Sequence, residues 1–193
     1  MNNVLVTYAS MAGSTAEVAK VIGEQLAETG WRIRVAPVES RPSIDSLDAV
    51  VLGGPMIMGW HRQSLHFLRR HRAAWQNKPL AVFVTAMKLT KAEDSKLTGI
   101  PLVLDPGIMQ AAKDPGSLSL RERYSLPSNY LKPILKITTP ASAAIFGGRL
   151  LFNKLPWWAV PVALLAAGGQ AGDKRNWELI RSWAAGLPEV FES

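Results

Sequence analysis

The chain predicts an α/β fold built on a parallel sheet, and three observations carry that expectation. A short apolar run, Val4–Thr7, empties into a loop of small and hydroxylated residues and then into a helix-forming segment. Further apolar runs return at 49–54, 80–85 and 142–146. Amphipathic, helix-compatible stretches follow several of them. Strands covered on both faces read as unbroken apolar runs, and their alternation with helices implies parallel pairing through right-handed crossovers. A length of 193 residues and an apolar share of 48% suit a single domain, 1–193, with a real core.

Val4–Thr7 opens the sheet. Ser10, Met11, Ala12, Gly13, Ser14 and Thr15 form the loop after it, and Val18, Ala19, Ile22 and Leu26 then share one helical stripe that Gly30 stops. A helix starting here turns its unpaired N–H groups and positive dipole end toward the loop. Ser10, Ser14 and Thr15 add hydroxyls, Gly13 lets the backbone come close, and a phosphate fits. The same grammar also serves an ordinary strand-to-helix turn with a Ser/Thr cap. The loop has no lysine and neither the G-x-x-x-x-G-K-[ST] nor the G-x-G-x-x-G spacing, which weighs against nucleoside triphosphate and dinucleotide sites.

Trp31, Ile33 and Val35 alternate with Arg32 and Arg34, the pattern of an edge strand with one wet side. Ala49–Gly54 is a third, buried strand. Pro55, Met56, Ile57, Met58, Gly59 and Trp60 follow it at the carboxyl edge of the sheet, where open α/β folds bind ligands. Flexible apolar side chains and a tryptophan there suit a flat aromatic ring, with Trp60 stacking and Met56 and Met58 closing its edge. A hydrophobic plug over the sheet's end is the other use of the same residues. A helix is expected over His61–Trp75. Its histidines, 61, 66 and 71, stand five apart and so do not share a face, which argues against a metal site and for surface histidines.

Leu80–Thr85 is a fourth buried strand running into Ala86, Met87 and Lys88. Residues 91–140 exceed what one crossover requires, so an insertion is expected, with two Asp-Pro-Gly turns and a short helix over 128–137. Ser142–Phe146 is the fifth strand. Leu155–Ala167 is an uncharged run of thirteen residues, short of the ~20 a spanning helix needs; it suits a core helix, an interfacial one or a partner surface. Trp157 and Trp158 beside Lys154 tilt that choice toward peripheral contact with a membrane. Asp173 is placed to cap a final helix whose Trp177, Ile180 and Ala184 share a face.

Absence of cysteine excludes disulfides, thiolate metal sites and a cysteine nucleophile. It suits a reducing compartment, as does an N-terminus without the order of a signal peptide, and the expected location is the cytoplasm, at most at the inner face of the membrane. The net charge of +7 is segregated. Residues 49–91 hold seven basic side chains and no acid, and 123–172 hold five and no acid. Such a distribution suits an anionic small molecule or an anionic membrane surface, with no nucleic acid expected, although two solvated basic faces would look the same.

The first loop also resembles the flavodoxin signature: Val6, Tyr8, Ser10, Gly13, Thr15, Ala19 and Ile22 match it, and Thr7 departs from it. The resemblance implies a flavodoxin-like, doubly wound, five-stranded sheet in the order 2-1-3-4-5, with FMN held by its phosphate at Ser10–Thr15 and no metal. It implies that Pro55–Trp60 flank the flavin ring and that Thr85–Lys88 face its pyrimidine edge, where Lys88 would set positive charge near N1 and O2. The runs GGPMIMGWHR, FGGRL and GDKRNWELIRSWA are similar to the branch containing menaquinone-dependent protoporphyrinogen oxidase. That likeness implies a place in heme biosynthesis, with hydride passing from a porphyrinogen to the flavin and on to a quinone. Basic surroundings favour a reduced, anionic flavin, which points to an electron acceptor for an organic donor rather than a strong reductant. The two alternatives are an electron-carrying flavodoxin without catalysis of its own and an anion-binding module without flavin.

Overall fold

The computed structural model describes residues 2–56, 60–91, 99–114, 116–150 and 172–192. In chain order the elements are β1 (Asn3–Tyr8), α1 (Ser14–Ala27), β2 (Arg32–Pro37), β3 (Ala49–Pro55), α2 (Arg62–Arg70), β4 (Leu80–Ala86) and β5 (Leu89–Lys91). Then come β6 (Leu102–Leu104), β7 (Met109–Ala111), α3 (Leu120–Tyr124), α4 (Pro127–Leu135), β8 (Ser142–Gly147), β9 (Arg149–Leu150), β10 (Gly172–Asp173) and α5 (Trp177–Glu192).

The main sheet runs β2-β1-β3-β4-β8-β6, and every neighbouring pair is parallel. Its first five members keep the expected order. The sheet has six strands rather than five because β6, from within the insertion, pairs with β8 through Leu102 to Leu104. Three residues are too few to show a strand period, so the sequence signalled only turns there. Asp105, fully buried, locks this addition: its carboxylate accepts the N–H groups of Gly107 and Gly147, both at 2.9 Å, and its own N–H donates to Ile145 O at 2.9 Å. A buried carboxylate is tolerated where backbone donors satisfy it.

Because successive strand residues point to opposite faces, each strand feeds two cores. Val4, Val6, Val51, Phe83 and Phe146 pack with Ile22 and Leu26 of α1 and Ile180 and Trp183 of α5. Leu5, Leu52, Val82 and Ile145 pack with Phe67 and Leu68 of α2 and Leu131 and Ile134 of α4. Fully burying each such side chain contributes roughly 1.5–3 kcal/mol. β2 is the expected edge strand, with Arg32 and Arg34 exposed, but Val35, expected on the covered side, is exposed as well.

Local ends differ in two places. The helix expected over His61–Trp75 breaks after Arg70 into a separate 3-10 turn, Arg72–Gln76, and His71 at the break packs on Phe67 at 4.7 Å rather than lying free on the surface. Asp173 does not cap α5. Asn176 does, accepting the N–H of Leu179 at 3.1 Å, while Asp173 is held by Arg175. Among the described residues no helix is long and apolar enough to cross a membrane. The 155–167 tract lies outside them.

Candidate functional site

Parallel strands deliver their following loops to one edge of the sheet. After β1, the Ser10 hydroxyl accepts the N–H of Gly13 at 3.0 Å, closing a tight turn. Gly13 sits at the N-cap of α1 with φ 86, a left-handed conformation that side chains rarely adopt, and nothing lies within 4 Å of where its Cβ would be. That opening faces the start of a fourteen-residue helix whose first N–H groups have no carbonyl partner within it. Ser10, Met11, Ala12 and Gly13 are half-buried, and Ser14 and Thr15 are buried.

The two buried hydroxyls tie this loop to others. Ser14 Oγ accepts the N–H of Arg149 at 2.8 Å, and Thr15 Oγ1 shares a hydrogen bond with Thr85 Oγ1 at 2.9 Å. The edge is thus braced from β4 and β9 as well as from β1. Arg149 also bonds the Glu17 carboxylate on the first turn of α1, and Arg175 Nη1 donates to the other Glu17 oxygen at 2.6 Å. Arg175 lies over the Trp177 ring at 4.4 Å and pairs with Asp173. Its guanidinium is the main cause holding Glu17 and Asp173 below the usual carboxylate range. Two arginines therefore stand at the positive end of α1, with one carboxylate between them.

The second loop is arranged differently from the expectation. Trp60, expected to offer a stacking face, is only 6% exposed. Its indole covers Gly54, whose Cβ would lie 3.0 Å from the ring, and its Nε1 donates to Tyr130 O at 2.5 Å. Gly53 makes way on the other face, where a Cβ would collide with Phe83. The Gly-Gly pair thus admits an aromatic ring on each side of β3. Met56 pairs with Trp60 across the loop and donates its N–H to Thr85 O at 3.0 Å; Pro55 and Met56 are half-buried. Ile57, Met58 and Gly59 lie outside the described residues.

In the third loop Thr85 and Ala86 are buried and Met87 and Lys88 half-buried. Ala86 O accepts the N–H of Gly148 at 2.8 Å, and Lys88 O accepts the Tyr130 hydroxyl at 2.9 Å. Burial pushes that phenol's pKa up, so it stays a donor. Tyr130 of α4 thus binds the second and third loops at once. The Lys88 charge acts on Glu122 of the insertion, adding to the Lys113 and Ser119 donors that hold this carboxyl down to about 2. Tyr130, Asp105, Arg149 and Arg175 carried no role in the sequence reading. The runs FGGRL and GDKRN drew notice to the two arginines, whereas nothing local marks Tyr130.

The comparisons can be set on this geometry. The model of the flavodoxin domain family matches residues 5–160. The chain belongs to the flavodoxin family. FMN is the cofactor that this family binds. A short-chain flavodoxin associated with a bacterial microcompartment aligns over 99% of both chains, with a TM-score of 0.53 and 13% identity. Flavodoxin 1 of Bacillus cereus aligns over 97% of this chain and 98% of its own, with a TM-score of 0.50 and 14% identity. A flavo di-iron protein from Thermotoga maritima aligns over 98% of this chain and 36% of its own, with a TM-score of 0.52 and 16% identity. At these identities the likeness speaks for the fold. No curated protein sequence matches the chain.

The residues present fit such a cofactor at its phosphate end. Gly13 leaves open space beside the first N–H groups of α1, and no carboxylate of the loop itself faces that space; Arg149 and Arg175 stand nearby but are already paired with Glu17 and Asp173.

Proposed function

We propose that this flavodoxin-family protein holds FMN at the carboxyl edge of its sheet and serves as an oxidoreductase that accepts electrons from an anionic organic donor. The observation that carries the reading is the left-handed Gly13 at the N-cap of α1, opening onto unpaired N–H groups. In it, Ser10–Thr15 bind the phosphate. The Pro55–Met56 and Thr85–Lys88 segments wall the ring and exclude water from it. FMN, when bound, supplies redox chemistry in one- or two-electron steps. The chain's own residues bind, orient and set the charge around it.

Charge supports the direction of electron flow. A net charge of +7, with Lys88 in the third loop and Lys174 reaching Met87 O at 3.5 Å, favours the anionic reduced state of a bound flavin, whereas Arg149 and Arg175 are offset by Glu17 and Asp173. The same charge suits a donor bearing carboxylates. A porphyrinogen with propionates as the donor, and a quinone at a membrane as the final acceptor, is the specific pair we propose, resting on the likeness of GGPMIMGWHR and GDKRNWELIRSWA. The second reading, a carrier without catalysis of its own, is favoured by the flavodoxins among the structural neighbours.

An absorbance spectrum of the purified protein, followed by anaerobic addition of donors, separates these readings. Bleaching of a flavin band by protoporphyrinogen supports the oxidoreductase. Bleaching only by a reductase protein supports the carrier, and a colourless protein that takes up no added FMN overturns both. In the same assay Thr15→Asp, which adds negative charge at the helix start, should weaken FMN at least about a hundredfold. Unchanged affinity in a folded variant would remove the phosphate from this loop.

A further inference from the structure

A second basic feature lies away from the Gly13 loop. Between the β2–β3 connection and the outer side of α2 runs a groove of about 970 Å³, lined by Arg41, Arg62, Arg69 and Arg70 together with Glu39 and Asp45. The four arginines are exposed, and none forms an ion pair with any described residue, although two carboxylates line the same groove. Arg41 is held at φ 49, the only described residue other than glycine in the left-handed region. A side chain here strains the backbone where glycine would not, and an arginine presents a planar fork suited to carboxylates.

We propose that this groove docks an acidic polypeptide segment of a partner protein. A lipid surface fits it poorly. The groove is concave, and the large apolar side chains exposed among the described residues, Val35, Leu120 and Tyr124, do not line it, so it has no anchors for insertion. Single-stranded nucleic acid fits less well, since Phe67 in the lining is only 4% exposed and His71 packs on it at 4.7 Å, which leaves the small His66 imidazole as the one exposed ring of the lining. What remains is a recessed track of forks matched to side chains bearing carboxylates. Nothing in the inference depends on flavin, because no groove residue belongs to the three loops at the sheet edge.

The test is fluorescence anisotropy of a labelled oligoglutamate peptide with the full chain. Binding should weaken steeply as salt rises, and Arg62→Glu with Arg69→Glu should weaken it at least about tenfold. The same change of net charge elsewhere, Arg123→Glu with Lys136→Glu, should weaken it by no more than about twofold, a difference that long-range screening allows. Arg41→Gly removes one fork while relieving the backbone, so a folding defect cannot account for its expected loss of affinity. Equal losses in the groove and control pairs overturn the proposal. So does tighter binding, with the same dependence on Arg62 and Arg69, of phosphatidylglycerol vesicles or of a thymidine oligonucleotide.

Discussion

The two sides of the sheet edge are built on different plans. On the β1 side, the loop Ser10–Thr15 closes on itself through Ser10 and Gly13, starts its own helix, and adds ties to Thr85 and Arg149 afterwards. On the β3–β4 side, Trp60 and the Thr85–Lys88 loop are held from outside by α4, through Trp60 to Tyr130 O and the Tyr130 hydroxyl to Lys88 O. The first side is a local motif and the second an assembly. A turn at a helix start needs only consecutive dihedrals, whereas loops that follow separate strands must be propped by residues distant in the chain. The insertion that the sequence leaves unexplained supplies that prop.

Removing the prop should separate the two sides most sharply. Trp60→Ala empties a buried site and frees Tyr130 O, and is expected to cost about 3–5 kcal/mol in denaturant unfolding. Hydrogen exchange should rise first at 54–56 and 86–91, with 13–18 keeping its protection. Equal loss at both would show that the edge is one cooperative unit.

A gentler version is Tyr130→Phe, which keeps the ring and removes only the donor to Lys88 O. About 1 kcal/mol of stability should go, with faster exchange confined to the third loop. No change there would mean that the hydroxyl does not hold the loop.

The smallest effect should come with acid. Glu122 is held down to about 2 from an ordinary 4.5, first by the Lys113 N–H and then by Ser119. A depressed carboxyl contributes stability that is present above its unfolded value and is lost as pH falls through the folded one, so the window runs from about 4.5 down to 2. Glu122→Gln should flatten the stability profile in that window, seen in melts at stepped pH. A wild-type slope retained by the variant would assign it to Glu17 and Asp173, on the other side of the edge, which Arg175 also lowers.

Much of the fold was legible because its signals are local. Val4–Thr7, Ala49–Gly54 and Leu80–Thr85 are apolar without a break, as strands with two covered faces must be, and Arg32 and Arg34 marked β2 as the edge. Trp60 turns inward, against the expectation from its position. An aromatic residue in a loop at a ligand-binding edge looks the same in sequence whether it turns outward to stack or inward to cover Gly54, and only the gap left by that glycine, together with a carbonyl on α4, decided the matter. Asp173 precedes α5 as a cap would, but Arg175 holds its carboxylate instead.

By itself the sequence determined the parallel α/β pattern, the edge strand, and a helix start at residues 13–15. Each of these follows from hydrophobic period, turn chemistry and dipole over a few consecutive residues. Tertiary structure alone decided that β6 would widen the sheet, that Asp105 would pin it, and that Tyr130 would hold two loops 42 and 70 residues away. Those outcomes depend on which buried donors meet which acceptors once the chain has closed on itself, and no period along the chain records such a meeting.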